Sequence, residues 1–227
     1  MAWNAKPSGG YLLSSNEGTA NALEMNSYLQ SAGYTIESSC AVIGNSMSEG
    51  GLNPWRWQSD TYNLNGGYGL FQYTPASGYI SNATSAPYFS PNLSTSQATV
   101  GATPEDGIAQ LFTMDTNLLG KWVSSCWRSY WNPADYPDEF ALREYILNTY
   151  GNGSSLSMQQ FRDMPDMYCA TFAFLACFEG PGGLHLSARY ANASAVYTLL
   201  TGQPAPPPTP ITNNKKMPIW MMLRYGL

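Results

Sequence analysis

A chain of 227 residues with 44% hydrophobic and 14% aromatic content can bury a sizeable core, within one domain or one domain plus an appendage. Charged residues make up only 11%, and the net charge is −5, from 15 acidic and 10 basic residues. Three of those ten, Lys215, Lys216 and Arg224, lie in the last thirteen positions. The preceding body therefore lacks the basic stripe that a nucleic-acid partner requires, and neutral or amphipathic substrates fit better.

The opening "MAWNAKPSGGYLLSSNEG" has no basic segment followed by an apolar one, so it does not read as a secretory signal. No apolar run approaches the roughly 18 residues that span a bilayer. Helical signals then dominate. "SSNEGTANALEMNSYLQSAG" starts at a Ser/Asn cap and ends at Gly33, and "TIESSCAVIGNSMSE" starts at Thr35 and sets Ile36, Cys40, Ile43 and Met47 on one face. In "WQSDTYNLNGGYGLFQY" the pattern changes: Asn65-Gly66-Gly67 between aromatic-rich flanks predicts a β-hairpin. With its turn centred on Asn65-Gly66, Asp60 falls opposite Phe71 and Ser59 opposite Gln72.

"TPEDGIAQLFTMDTNLLGKW" predicts a helix from Thr103, with Pro104 in its first turn and a stripe running from Ile108 through Leu111, Phe112, Leu118 and Leu119 to Trp122. "PDEFALREYILNTYG" follows, then "SMQQFRDM", in which Ser157 and Gln160 have capping-box spacing. "PDMYCATFAFLACFE" is apolar nearly all round and predicts a central buried helix, and "LHLSARYANASAVYTLLTG" closes at Gly202. The class is α+β, mainly α. Residues 203–214, "QPAPPPTPITNN", read as a Pro-rich linker, which bounds a first domain at residues 1–202. Residues 215–227 are apolar and basic, suited to docking on a partner protein or to contact with a membrane interface.

Four cysteines do not make a disulfide framework, and Cys40, Cys169 and Cys177 in apolar helical runs read as free, buried, inert thiols. His185 is the one histidine, which excludes a zinc amidase or metallopeptidase, and the reading includes no metal and no cofactor. A cysteine peptidase pairing one of the four thiols with His185 is an alternative, although "LHL" reads as a helix start with a partly buried imidazole.

The chemistry concentrates at "NSMSEGGLNPWRWQSD". Glu49 ends the helix begun at Thr35, because Gly50 and Gly51 stop it and Pro54 forbids resumption. There it faces the negative end of the helix dipole, with Trp55 and Trp57 close in sequence. Both effects disfavour the charged form, as a general acid requires. Gln72 offers a donor and an acceptor to sugar hydroxyls or acetamido groups, and Trp55, Trp57, Tyr68 and Tyr73 offer faces for pyranose rings.

These residues resemble the lysozyme superfamily, in which a helix-end glutamate precedes a hairpin bearing a "GL(x)Q" strand. The likeness is nearest to the tail-associated lysozymes of bacteriophages, across about residues 10–200, through "AVIGNSMSEGGLNP", "WQ", "YGLFQYTPASGYI" and "FLACFEGPGG". It implies a lysozyme-like helical domain, Glu49 as catalytic acid, Gln72 in the substrate cleft and Glu179 as a cleft or structural residue nearby. It also implies peptidoglycan glycan strands as substrate, cut between N-acetylmuramic acid and N-acetylglucosamine, and a place in the virion tail, with residues 215–227 meeting other tail proteins. Many relatives carry "ES" where this chain has Glu49-Gly50, which removes a hydroxyl beside the acid.

Hydrolysis calls for a second carboxylate about 5–9.5 Å from the first, and Asp60 is the candidate, with Glu179 behind it. A lytic transglycosylase needs only Glu49, because the substrate's acetamido group assists. A non-catalytic glycan-binding or structural tail component is the remaining alternative.

Overall fold

The computed structural model describes residues 3–83 and 107–208. The expected helix start at Thr103 and Pro104, residues 209–214 of the linker and the segment 215–227 lie outside these. In chain order the helices are α1 (Asn16–Ser31), α2 (Ile36–Glu49), α3 (Ala76–Ala83), α4 (Ile108–Thr116), α5 (Pro137–Thr149), α6 (Met158–Arg162), α7 (Met167–Phe174) and α8 (Leu186–Thr201).

The caps explain where they begin. Ser15 Oγ accepts from the Gly18 amide at α1, Thr35 Oγ1 from Ser38 at α2, and Ser157 with Gln160 closes a full capping box at α6. The expected α4 stripe is shorter than its sequence suggested. Asn117 takes a left-handed conformation (φ 54°) and stops the helix, so Leu118 is exposed and the Trp122 amide instead donates to Asn117 Oδ1 (2.9 Å). α3 was not anticipated from the sequence.

Two helices share the centre. α7 is buried over nearly its whole surface, as its all-round apolar sequence requires, and α2 is buried from Ser38 to Ser46. α8 packs most extensively on α2, and small residues allow it. A Cβ at Gly44 would lie 2.5 Å from the Ala193 amide nitrogen, so a larger residue would push the two helices apart. At its C-terminal end α7 widens into one π turn, Leu175–Glu179, closed by left-handed Gly180, whose amide donates to Leu175 O at 2.8 Å. Arg128 supplies this end with a cation, donating to the carbonyls of Lys121, Ala176, Cys177 and Phe178 at 2.8–3.2 Å.

Cys177 on the π turn forms a disulfide with Cys126, which corrects the expectation of a free thiol. An apolar helical run looks the same in sequence whether or not a loop 51 residues earlier lies against it. Cys40 and Cys169 are free and buried, as expected.

The hairpin expectation also needs correction in register. Among the described residues it is reduced to one antiparallel bridge, Trp57 with Tyr68, flanked by Gln58 N to Gly67 O and Gly69 N to Arg56 O, both 2.8 Å. Ser59 and Asp60 both have φ of 55°, which breaks the strand before Asp60 can face Phe71. Aromatic burial holds the segment instead: Trp57 lies 4.5 Å from Tyr68 and Tyr73 stacks on Tyr79 at 4.7 Å, centroid to centroid.

Beyond α8, residues 204–208 have no regular secondary structure. Ala205 packs against the core, and the Tyr190 hydroxyl donates to Pro206 O. No helix among the described residues is long and apolar enough to cross a membrane.

Candidate active site

The end of α2, the loop around residues 69–72 and the π turn meet at a cleft of about 590 Å³. Glu49, Gln72, Phe71, Lys121 and Glu179 line it, together with Arg56, Gln58, Ser59, Thr74 and Gly180–Gly182.

Glu49 reaches the cleft as the last residue of α2, but it is not left facing the helix dipole alone. Arg189 of α8 donates through Nη2 to Glu49 Oε1 and through Nη1 to Asn45 Oδ1 (3.0 Å). Asn45, one turn before Glu49, is fixed by its own Nδ2 bonds to Ala41 O and Thr171 O. The guanidinium is 6% exposed and the glutamate side chain 21%. The helix-end carboxylate thus has a cation at its back and solvent at its front.

Glu179 is the other carboxyl of the cleft. Its Oε1 is buried and has no hydrogen-bond partner among the described residues. Burial first, and then the charge of Glu49, push its pKa well above the ordinary glutamate value, while Arg189, Lys121 and Arg128 oppose this. Desolvation is the largest of these effects, and it disfavours the charged form. Lys121, whose Nζ lies 5.7 Å from the Tyr73 ring centroid, is in turn lowered by burial against the pull of the two glutamates.

Gln72 sits in the cleft at the end of a turn opened by Gly69 (φ 77°), with its own φ at 46° and its Nε2 donating to Gly69 O at 3.0 Å. Buried Gln110 of α4 holds this turn, accepting from Leu70 N and donating to Pro54 O, both at 2.6 Å. The turn closes over Gly50. A Cβ there would lie 2.3 Å from Gly69 O and 2.7 Å from Leu70 Cα, so the space a serine would need next to Glu49 is filled by backbone.

Several expected site residues lie elsewhere. Trp55, Trp57, Tyr68 and Tyr73 are core residues, and none lines the cleft, which corrects their expected role as sugar platforms. Asp60 is 44% exposed. It accepts from the Gly9 amide and faces Arg56 Nε at 3.4 Å, and it does not line the cleft. His185 is exposed, not partly buried.

The thiols are equally unsuited to nucleophilic duty: Cys40 is pushed up to about 12 by burial, Cys169 is raised further by burial and Asp166, and the other two are bonded together. Among the described residues no group of three His, Cys, Asp or Glu side chains is placed to hold a metal.

The residues that sequence reasoning missed are Arg189, Lys121 and Asn45. Arg189 had one signal: a lone cation among small and apolar residues in a chain poor in charge.

Residues 20–200 match the phage tail lysozyme family, a span that contains every helix from α2 to α7 and most of α1 and α8. A second similarity is to Morphogenesis protein 1 of Bacillus phage B103, 41% identical over 69 residues. Those residues are 30% of this chain and 19% of that protein, so the match spans about a fifth of the relative's length. Taken with a cleft that joins a helix-end glutamate, a turn-borne glutamine and a second, buried glutamate, the match is decisive: the chain belongs to the phage tail lysozyme family.

Proposed function

We propose that this chain cuts the β-1,4 bond between N-acetylmuramic acid and N-acetylglucosamine in peptidoglycan, with Glu49 as the acid that protonates the departing glycosidic oxygen. One observation carries the reading: Glu49 ends α2 inside a cleft that it shares with Gln72 and Glu179. The carboxylate is anchored by Arg189 on one side and open on the other, so it meets substrate in a fixed orientation. Gln72 offers its amide to an acetamido group or hydroxyl of the bound sugar. Gly180 and Gly182, which carry no side chain, let a glycan strand approach the backbone closely.

Capture of the sugar C1 follows one of two routes. In hydrolysis a second, ionised carboxylate assists water, and Asp60 is the residue proposed for that duty. The engagement of Asp60 with Gly9 and Arg56 favours the second route. There the substrate's acetamido group assists, and the sugar's own hydroxyl closes an anhydro ring. Among the described residues the carboxyls that line the cleft are Glu49 and Glu179, and burial disfavours the ionised form of Glu179 that a nucleophile needs. Mass spectrometry of saccharides released from purified peptidoglycan tests both steps: reducing ends mean hydrolysis, anhydro ends mean transglycosylation, and no released saccharide refutes an enzymatic role.

The wider setting is part of the same proposal. A relative named for phage morphogenesis supports a place in the virion, in the tail, from which the enzyme opens the wall for DNA passage. The Cys126–Cys177 disulfide suits an enzyme acting in oxidising surroundings. Residues 203–214 serve as a tether, and residues 215–227 dock on other tail proteins. Removing residues 204–227 should leave glycan cleavage intact.

A further inference from the structure

A single aromatic residue open to solvent is ordinary on a protein surface, and its exposure alone says nothing. Tyr130 differs in how it is held. It is the most exposed aromatic among the described residues, at 60%, yet its hydroxyl donates to Gly180 O, and Gly180 lines the cleft. Its ring packs edge-on against Trp131, 5.7 Å between centroids, and Trp131 is buried with Nε1 donating to Pro181 O at 3.1 Å.

The loop that carries Tyr130 is fastened to the same region at two more points. Cys126 is joined to Cys177 on the π turn, and Arg128 donates to the carbonyls of Ala176, Cys177 and Phe178. Trp127 closes the loop from within, donating to Trp131 O at 3.1 Å and meeting the Trp131 ring at 5.3 Å. The ring of Tyr130 is therefore set beside the cleft before anything binds, and a side chain held in this way loses little further freedom on meeting a ligand.

A glycan strand is a polymer and does not end within a cleft of about 590 Å³, so its outer sugars pass over the residues that adjoin the lining. Trp55, Trp57, Tyr68 and Tyr73 are buried and do not meet them, and Phe71 in the lining is buried as well. Tyr62, at 43% exposure, packs on Trp57, which is not part of the lining. Tyr130 is the exposed ring tied directly to a lining residue.

We propose that Tyr130 forms an outer sugar subsite, on which a pyranose of the glycan strand rests beyond the two sugars that flank the scissile bond. This rests on glycan strands being the substrate of the cleft. A pyranose presents C–H groups on its faces and hydroxyls around its edge. Laid on the ring, it removes apolar surface from water on both partners and leaves the hydroxyls solvated.

The test separates the ring from its hydroxyl. Tyr130→Ala removes both, and Tyr130→Phe removes only the hydroxyl and its bond to Gly180 O. Each is combined with Glu49→Gln to prevent turnover, and binding of a hexasaccharide of alternating N-acetylglucosamine and N-acetylmuramic acid is followed by calorimetry. Tyr130→Ala is expected to weaken binding about tenfold, and Tyr130→Phe by less than about threefold. Equal losses would mean that only the bond to Gly180 O matters and would overturn the subsite, as would no loss in Tyr130→Ala or no binding of the hexasaccharide at all. With Glu49 in place, Tyr130→Ala should raise KM for peptidoglycan strands about tenfold with kcat little changed, and a fall in kcat alone would count against the proposal.

A second readout needs no variant at Tyr130. Nitration of the Glu49→Gln chain by tetranitromethane, mapped by mass spectrometry, is expected to modify Tyr130 in the free protein and to spare it under saturating hexasaccharide. Modification that is the same with and without the sugar would overturn the subsite. If the native chain releases no saccharide the proposed reaction fails, while binding and nitration still decide whether Tyr130 holds a sugar.

Discussion

Replacing Arg189 with Met keeps most of the side-chain volume and removes the guanidinium. Breaking a fully buried ion pair by deleting one partner costs about 3–5 kcal/mol. Here the arginine is 6% exposed but the glutamate is 21% exposed, so part of the orphaned charge regains water and that loss falls to roughly 2 kcal/mol. Asn45 Oδ1 also loses its 3.0 Å donor inside the core, for about 1 kcal/mol more.

The expected destabilisation is therefore about 3 kcal/mol, or a drop in Tm of roughly 6–12 °C for a chain of this size. Thermal unfolding followed by circular dichroism reads it directly. Arg189→Lys keeps the charge and loses the forked geometry, and should cost about half as much. Because the two residues touch, the double variant Arg189→Met/Glu49→Gln should be more stable than the sum of the singles by about 2 kcal/mol. A Tm change below about 2 °C on the scale just given, or strict additivity in the double variant, would refute the claim that Arg189 anchors Glu49.

Three further expectations concern the frame around the site. Gly50→Ser should destabilise by about 2 kcal/mol or more and reduce activity, because its Cβ meets Gly69 O and the Leu70 backbone; stability and activity at or above the native level would contradict this. Loss of the disulfide through Cys126→Ser should cost about 4 kcal/mol on the chain-entropy estimate for 51 residues, read as a fall in the denaturant midpoint.

Burial raises Glu179 above its unfolded value, so the stability it contributes is complete below about 4.5 and is lost as pH rises through the higher folded value. The Tm of the native chain should accordingly fall more steeply toward neutral pH than that of Glu179→Gln, and parallel curves would count against a raised pKa at Glu179.

The parts of this molecule that were legible in its sequence are those set by neighbours along the chain. Thr35 with its apolar spacing and Gly50-Gly51 located α2 and put Glu49 at its end. Ser157 with Gln160 located α6, and the unbroken apolar run from Met167 marked α7 as central. What was not legible depends on partners distant in the chain. Nothing in "LSARYANAS" says that Arg189 reaches back 140 residues to Glu49, since a lone arginine on a helix reads equally well as a solvated face.

An aromatic residue near a glycine-rich turn serves a sugar or a core equally well by composition. Trp57, Tyr68 and Tyr73 fell on the core side because the strand is broken at Ser59 and Asp60 and aromatic stacking holds the loop together. The pairing of Cys126 with Cys177, and the burial of Glu179, likewise follow from which loop covers which turn.

The most direct test of the central claim is mass spectrometry of the saccharides released from purified peptidoglycan by the native chain and by Glu49→Gln, which preserves shape and hydrogen bonding but has no proton to give. The account expects new muropeptide ends from the native chain and none from a folded, peptidoglycan-binding Glu49→Gln. Equal release by the two would remove Glu49 from the chemistry and, with it, the proposed mechanism.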